Sequence, residues 1–230
     1  YTADRLYYPK VDQILSISQT CVDVLKAYFP DCKDKISVMQ NISSPVLITK
    51  QANEVVDLPQ APLLLASLGH IMRRKGTDFS IDAAKILQEK GVDFKWMLVG
   101  KVIEKDLIKR IEQEGLADRF VVLGIRSNPY PYIKAADIYV HPSRFEGKSI
   151  ALDEAKILCK PIVVTNFSTV HDQFEDGVNA SICEMDGRAL ADAIIKLATD
   201  KELRQSYVAY LSAHIVDNSS EVEKLYAFID

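Results

Sequence analysis

The chain has 230 residues, 48% of them hydrophobic and 26% charged, with a formal net charge of −4. This balance is that of a folded globular protein; it excludes a disordered chain and offers no general attraction for nucleic acid. No apolar run reaches the roughly 18 residues of a membrane-spanning helix.

The four cysteines, Cys21, Cys32, Cys159 and Cys183, are too widely spaced for a structural zinc site and read as reduced thiols, which points to the cytoplasm. The opening YTADRLYYPK lacks an initiating Met and the basic, apolar, small-residue order of a signal peptide, so it reads as the start of an excised or processed piece.

Residues 1–42 hold two short strand candidates, at 14–18 and 36–39, around a helix at 20–28. They are too few for a core of their own and are expected to pack as a remnant on the main domain. Residues 43–62, with Pro45, Pro59 and Pro62 and no sustained period, read as a linker. From residue 63 strands and helices alternate. Strands are expected at 63–68, 94–99, 120–123, 138–140, 162–164 and 180–183, and helices at 77–90, 104–114, 131–135, from 149 onward and after the N-cap Asp186. That order means an α/β fold with a doubly wound parallel sheet. From 201 the spacing is helical to the end, with Leu203, Tyr207, Leu211, Val222, Leu225, Tyr226 and Ile229 as apolar faces. The final helix, 218–230, is expected to dock on residues 1–42.

Three loops at strand ends carry chemistry. Residues 141–148 join a strand to a helix, where free N–H groups and the helix dipole favour an anion. Gly147 permits close approach, Ser149 is a candidate N-cap, and Lys148 with the amides of Ser149 and Ile150 adds positive character. Glu146 and Glu154 flank this pole. Carboxylates repel phosphate, so as ligand groups they suit the hydroxyls beside it, as in a nucleotide sugar; the alternative is that they are ordinary acids at a helix start. The loop GHIMRRKG (69–76) offers Gly69 and the cations Arg73, Arg74 and Lys75, or else is a solvated basic turn. GIRSNPY (124–130), with Arg126, follows another strand and by itself reads as a surface turn. His141 and Arg144 precede Glu146; the histidine reads equally as a packed, hydrogen-bonded side chain or a ligand contact. G-x-G-x-x-G, G-x4-G-K-[ST] and D-x-D are absent, so the expected chemistry needs no metal and no cofactor.

The segment SRFEGKSIALDEA, with Glu146 and Glu154 seven residues apart, resembles the E-x7-E signature of the family-4 (group 1) glycosyltransferases of GT-B fold, and the resemblance runs from Leu63 to Ala198. It implies a Rossmann-like donor-binding domain at 63–217, preceded by a remnant of the acceptor domain. In that layout Lys75 matches the lysine of the G-R-x4-K-G loop, while His70 stands where the family has Arg. Lys75 and the amides of Ser149 and Ile150 would hold the donor diphosphate, with Gly69 and Arg74 of the 69–76 loop beside it, and Arg126 with the main chain of Ile125 and Ser127 would meet the base. Glu154 would take the ribose hydroxyls, and Glu146 with Gly147 and Lys148 would orient the sugar, leaving Glu146 and Lys75 as the catalytic residues.

The resemblance further implies a retaining transfer from a nucleotide diphosphate sugar to a glycan or lipid-linked acceptor, in bacterial polysaccharide synthesis. It places the enzyme in the cytoplasm, with peripheral membrane association through the missing domain. The chain alone is expected to bind donor weakly and transfer little. A nucleotide-sugar epimerase and a non-catalytic binding module of a synthesis complex remain as alternatives.

Overall fold

The computed structural model describes residues 2–227. The chain runs α1 (Thr2–Tyr7), β1 (Ile14–Ser16), α2 (Gln19–Tyr28), β2 (Ile36–Val38) and α3 (Pro45–Gln51). The repeating part follows: β3 (Leu63–Leu68), α4 (Thr77–Glu89), β4 (Phe94–Val99), α5 (Lys105–Gln113), β5 (Phe120–Gly124), α6 (Tyr130–Ala135), β6 (Ile138–His141), α7 (Ile150–Ile157), β7 (Ile162–Thr165), β8 (Ser181–Cys183) and α8 (Gly187–Thr199). It closes with α9 (Lys201–Ala213) and α10 (Glu221–Tyr226).

Strands β3 to β8 form one parallel sheet in the order β5-β4-β3-β6-β7-β8. Successive side chains in a strand face opposite sides, and the two faces sort accordingly. Leu65, Trp96, Ile138, Val140 and Val163 join Leu87, Leu107, Leu190 and Ile194 in one core. Ala66, Met97, Tyr139, Ile162 and Val164 join Ile133, Leu152 and Ala155 in the other. Both faces are therefore covered by helices, as an all-parallel sheet requires. The strand order reverses between β3 and β6, and the crevice at their C-terminal ends is where such sheets take ligands.

Three expectations need correction. Residues 1–42 do enclose a small core: β1 and β2 pair in parallel, and Ile14, Val22, Phe29, Cys32 and Ile36 are buried together. A two-stranded sheet is marginal alone, and this one leans on the main body, where Thr20 donates from its N and Oγ1 to Asp172 at 3.2 and 2.9 Å. Residues 43–62 are not all linker. Ser44 Oγ accepts from the Leu47 amide, Pro45 opens α3, and Ile48 and Ala52 are buried, a cap-plus-proline start that favours a helix.

Helix α9 is not continuous with α10. Tyr207 and Leu211 of α9 are buried, the Tyr207 hydroxyl lying 3.1 Å from Ser181 Oγ. Between the helices Asp217 turns its carboxylate onto the Ser219 amide at 3.1 Å, a local bond that competes with helix. Asn218 accepts from the Ser43 amide at 2.8 Å and donates to the Asn41 carbonyl. Glu221 Oε2 accepts from the Gln40 amide at 2.9 Å, and Lys224 donates to the Val38 carbonyl at 3.3 Å. This junction is polar: Val222 and Tyr226, expected on an apolar face, are exposed, while Ile229 and the Leu225 side chain lie outside the described residues. Among the described residues no helix is long and apolar enough to cross a membrane.

Candidate functional site

The crevice between β3 and β6 brings together residues far apart in sequence. Lys75, in the loop after β3, donates to both Glu146 oxygens at 2.7 and 3.0 Å. His141, the last residue of β6, places Nε2 2.9 Å from Glu146 Oε1. Glu146 and His141 are buried, and His141 is packed and hydrogen-bonded. Burial alone would raise the Glu146 pKa, but the bond and charge of His141 and of Lys75 outweigh it and hold the carboxyl at about 2.

The loop carrying Glu146 is braced from several sides. Arg144 forks onto Asp78 with two bonds of 2.6 Å and lies 3.7 Å over the Phe79 ring, a bidentate and stacked geometry that lysine would not reproduce. Thr169 Oγ1 donates to the Glu146 carbonyl at 2.9 Å, and Thr165 Oγ1 to the Ser143 carbonyl at 2.6 Å. Gly76, at φ 71°, lets Lys75 approach, because a Cβ there would lie 1.7 Å from the Pro142 oxygen.

The second acid behaves oppositely. Glu154 accepts from the Tyr130 hydroxyl at 3.0 Å. Burial pushes its carboxyl up to about 6; the Tyr130 bond opposes this and the Asp153 charge adds to it. Tyr139 is fully buried, and burial together with the Glu154 and Glu146 charges raises its hydroxyl well above the ordinary range. The same ring thus feels both carboxylates.

Beside these groups an open cleft of about 440 Å³ is lined by Gly69, His70, Lys75, Lys101, Ile125 and Arg126, among others, and no carboxylate among the described residues lines it. Gly100 lets strand ends β3 and β4 meet beneath it: its Cβ would lie 2.0 Å from the Gly69 oxygen. The remaining basic residues of the 69–76 loop are engaged elsewhere. Arg73 is tied to Glu104 and Asp106, and Arg74 lies 5.5 Å over the exposed Phe145 ring. Arg126 reaches the Tyr132 hydroxyl at 3.4 Å and the Ile125 carbonyl at 3.2 Å.

The start of α7 departs from expectation. Ser149 occupies the N-cap position, but its side chain does not cap. Its amide donates to Gln173 Oε1 at 3.1 Å, and Gln173 Nε2 donates back to the Ser149 carbonyl at 3.2 Å and to Asp153 at 3.1 Å. The Ser149 amide is therefore already satisfied. Lys148 turns to Gln40 and stands 3.8 Å from buried Asp153, so it does not line the cleft. Gly147 makes room for the protein itself, since a Cβ would meet Ile17 Cδ1 at 2.8 Å. Ile150 is exposed. Replacing Gln173 with Ala leaves a buried amide and a buried carboxylate short of a partner, so stability should fall by about 1–3 kcal/mol in a urea titration; an unchanged midpoint would contradict the bracing role.

Sequence reasoning missed Lys101, Tyr130 and Gln173. Lys101 carried a usable signal: it is basic and directly follows a strand-closing glycine, as the 69–76 loop does. Gln173 carried none, being 24 residues from the amide it holds. Among the described residues no group of three His, Cys, Asp or Glu is placed to hold a metal ion.

Comparison with known proteins gives consistent matches. The family model described as glycosyl transferases group 1 matches residues 49–212. An alpha-D-kanosaminyltransferase of Streptomyces kanamyceticus is 30% identical over 159 residues, 67% of this chain and 41% of the relative. A Campylobacter jejuni N-acetylgalactosamine-N,N'-diacetylbacillosaminyl-diphospho-undecaprenol 4-alpha-N-acetylgalactosaminyltransferase is 27% identical over 205 residues, 88% of this chain and 55% of the relative. The chain thus spans about half the length of the curated relatives it matches. Among solved structures, a glycosyltransferase from Rickettsia africae superposes with a TM-score of 0.84 at 15% identity, covering 99% of this chain and 66% of that one. Anabaena Alr3699/HepE in complex with UDP and glucose gives 0.79 at 19%, covering 99% and 65%. At such identities these two speak for the fold.

Proposed function

This chain belongs to the group 1 glycosyl transferases, and from that premise we propose that it forms the donor-binding part of an enzyme moving a sugar from a nucleotide diphosphate sugar to an acceptor hydroxyl. The observation that carries the reading is the meeting of Lys75 and Glu146 at the β3/β6 switch point, beside a cleft that Lys75, Lys101 and Arg126 line and that no acid among the described residues lines. Lys75 offers its ammonium to the diphosphate and stabilises the leaving group. Glu146, freed as Lys75 turns, accepts sugar hydroxyls and orients the ring. Glu154 accepts the ribose hydroxyls, and the loop at Ile125 and Arg126 meets the base. The transfer retains anomeric configuration and needs neither metal nor cofactor.

Residues 63–217 are the donor domain, and residues 1–42 belong to the acceptor side, joined through 43–62. Relatives named for bacterial glycan synthesis support a glycan or lipid-linked acceptor. With the acceptor half outside this chain, turnover by the chain alone should be negligible, while donor binding persists.

Calorimetric titration with UDP, GDP, ADP and their sugars tests the reading: one base series should bind, and Glu154→Gln should weaken it about tenfold, the size of one charge-assisted hydrogen bond. Binding by none of them, or by all equally with and without Glu154, would overturn it.

The pH dependence has a definite sign. With its pKa raised to about 6, Glu154 is a carboxylate above that value and protonated below it, so its share of nucleotide affinity should fall as pH drops from 7 to 5. Tyr130→Phe removes a bond that lowers the pKa and should move the midpoint upward; Glu154→Gln should remove that component. Stability runs the other way, because a raised carboxyl pKa contributes fully below about 4.5 and is lost as pH rises through about 6.

A further inference from the structure

The cleft holds one cation that the donor reading has not used. Of the basic side chains in the 69–76 loop, Arg73 is tied to Glu104 and Asp106 and Lys75 to Glu146, while Arg74 lies over the Phe145 ring and does not line the cleft. A diphosphate entering the cleft therefore meets no unengaged ammonium or guanidinium from that loop. Lys101 is exposed, lines the cleft, and makes no ion pair or side-chain hydrogen bond among the described residues. Its position is rigidly set. The Lys101 carbonyl accepts from the Ile71 amide at 2.9 Å, and the Ile71 carbonyl accepts from the Ile103 and Glu104 amides at 3.1 and 3.2 Å. Ile71 itself is buried. The loop bearing Lys101 is thus fastened to the loop bearing His70 and Lys75. Since β4 lies between β5 and β3, Lys101 stands between the Ile125–Arg126 loop on one side and the Lys75 loop on the other.

We infer that Lys101 is a phosphate-binding residue of the donor site, meeting the nucleoside diphosphate on the side opposite the Lys75–Glu146 pair. This deepens the donor-site reading and rests on it. A mobile ammonium on a fixed backbone suits a phosphate as a point charge. It engages at once, before Lys75 has exchanged Glu146 for the ligand. Lys101 accordingly acts on affinity for anything carrying the phosphates, and has no role toward the base or ribose alone.

The test uses the chain as it is, titrated calorimetrically with UDP, GDP and ADP, with the matching nucleosides, and with inorganic pyrophosphate. For the nucleoside diphosphate that binds most tightly, Lys101→Ala should weaken affinity about tenfold, as expected for one charge-assisted contact. Lys101→Arg should keep affinity within about twofold, and pyrophosphate should lose affinity in parallel. The nucleoside should be unaffected. Unchanged diphosphate affinity in Lys101→Ala overturns the inference, and so does an equal loss for nucleoside and diphosphate, which would mark a base contact or a structural effect. If Lys75→Ala weakens UDP, GDP or ADP while Lys101→Ala does not, only the assignment of Lys101 falls. If none of the three binds the unaltered chain, the donor-site reading falls and takes this one with it.

Discussion

Replacing Glu146 with Gln is expected to tighten nucleoside diphosphate binding several-fold while removing turnover from the full-length enzyme. Lys75 holds both Glu146 oxygens in the ligand-free protein, so a phosphate must compete with a carboxylate for the same ammonium. A neutral amide competes less well. The sugar side loses its anionic acceptor, so binding and chemistry should move in opposite directions. Stability should also fall, by roughly 2–3 kcal/mol at pH 7, because the pKa shift from 4.5 to about 2 measures how strongly His141 and Lys75 favour the charged form. The sign follows from a depressed carboxyl: its contribution is complete above about 4.5 and disappears as pH falls through about 2. Urea midpoints of the two proteins should therefore converge in strong acid. Weaker diphosphate binding by the Gln variant would show that Lys75 does not alternate between the two partners.

Gly76→Ala should be the more damaging change to the fold, losing more than about 3 kcal/mol. The left-handed φ of 71° costs an L-residue on the order of 1 kcal/mol, and that part has a control. Gly91, at φ 72°, has nothing within 4 Å of where a methyl would stand, so Gly91→Ala should lose only that first increment. At Gly76 the methyl would instead stand 1.7 Å from the Pro142 carbonyl, and neither partner is a side chain that can swing away. The 69–76 loop and the loop carrying Glu146 would have to separate, and with them Lys75 and Glu146. Equal losses for the two variants, measured by urea titration, would mean that the crossing at Pro142 yields easily.

The sheet was legible because its strands advertise their burial. Leu65 beside Ala66 and Trp96 beside Met97 are apolar on both faces, which only a strand covered on two sides tolerates, and closing glycines mark where strands stop. Glu146 and Glu154 were legible as a spaced pair. What those acids touch was not, because the partners arrive through the fold: Lys75 from 71 residues away, Tyr130 from 24. Helix α3 was missed despite a local signal, since three prolines suggested a linker and the Ser44–Pro45 pair was not read as a helix start. The break before α10 was hidden for a related reason: Asn218 and Asp217 are weak helix breakers on paper, and become effective once Asn218 finds the backbone of Asn41 and Ser43. The capping role of Ser149 failed: its hydroxyl accepts from no amide of the first turn, while Gln173, on a separate loop, holds its main-chain N–H and carbonyl.

The clasp formed by Gln40, Asn41 and Ser43 with Asn218 and Glu221 has a mechanical side. Two passages of the chain, outbound and returning, are stitched together at one place, so they cannot swing independently. The Gln40 side chain also grips Lys148, whose neighbour but one is Glu146. A tilt of the N-terminal unit would act as a short lever, its pull arriving within two peptide bonds of the acid in the crevice.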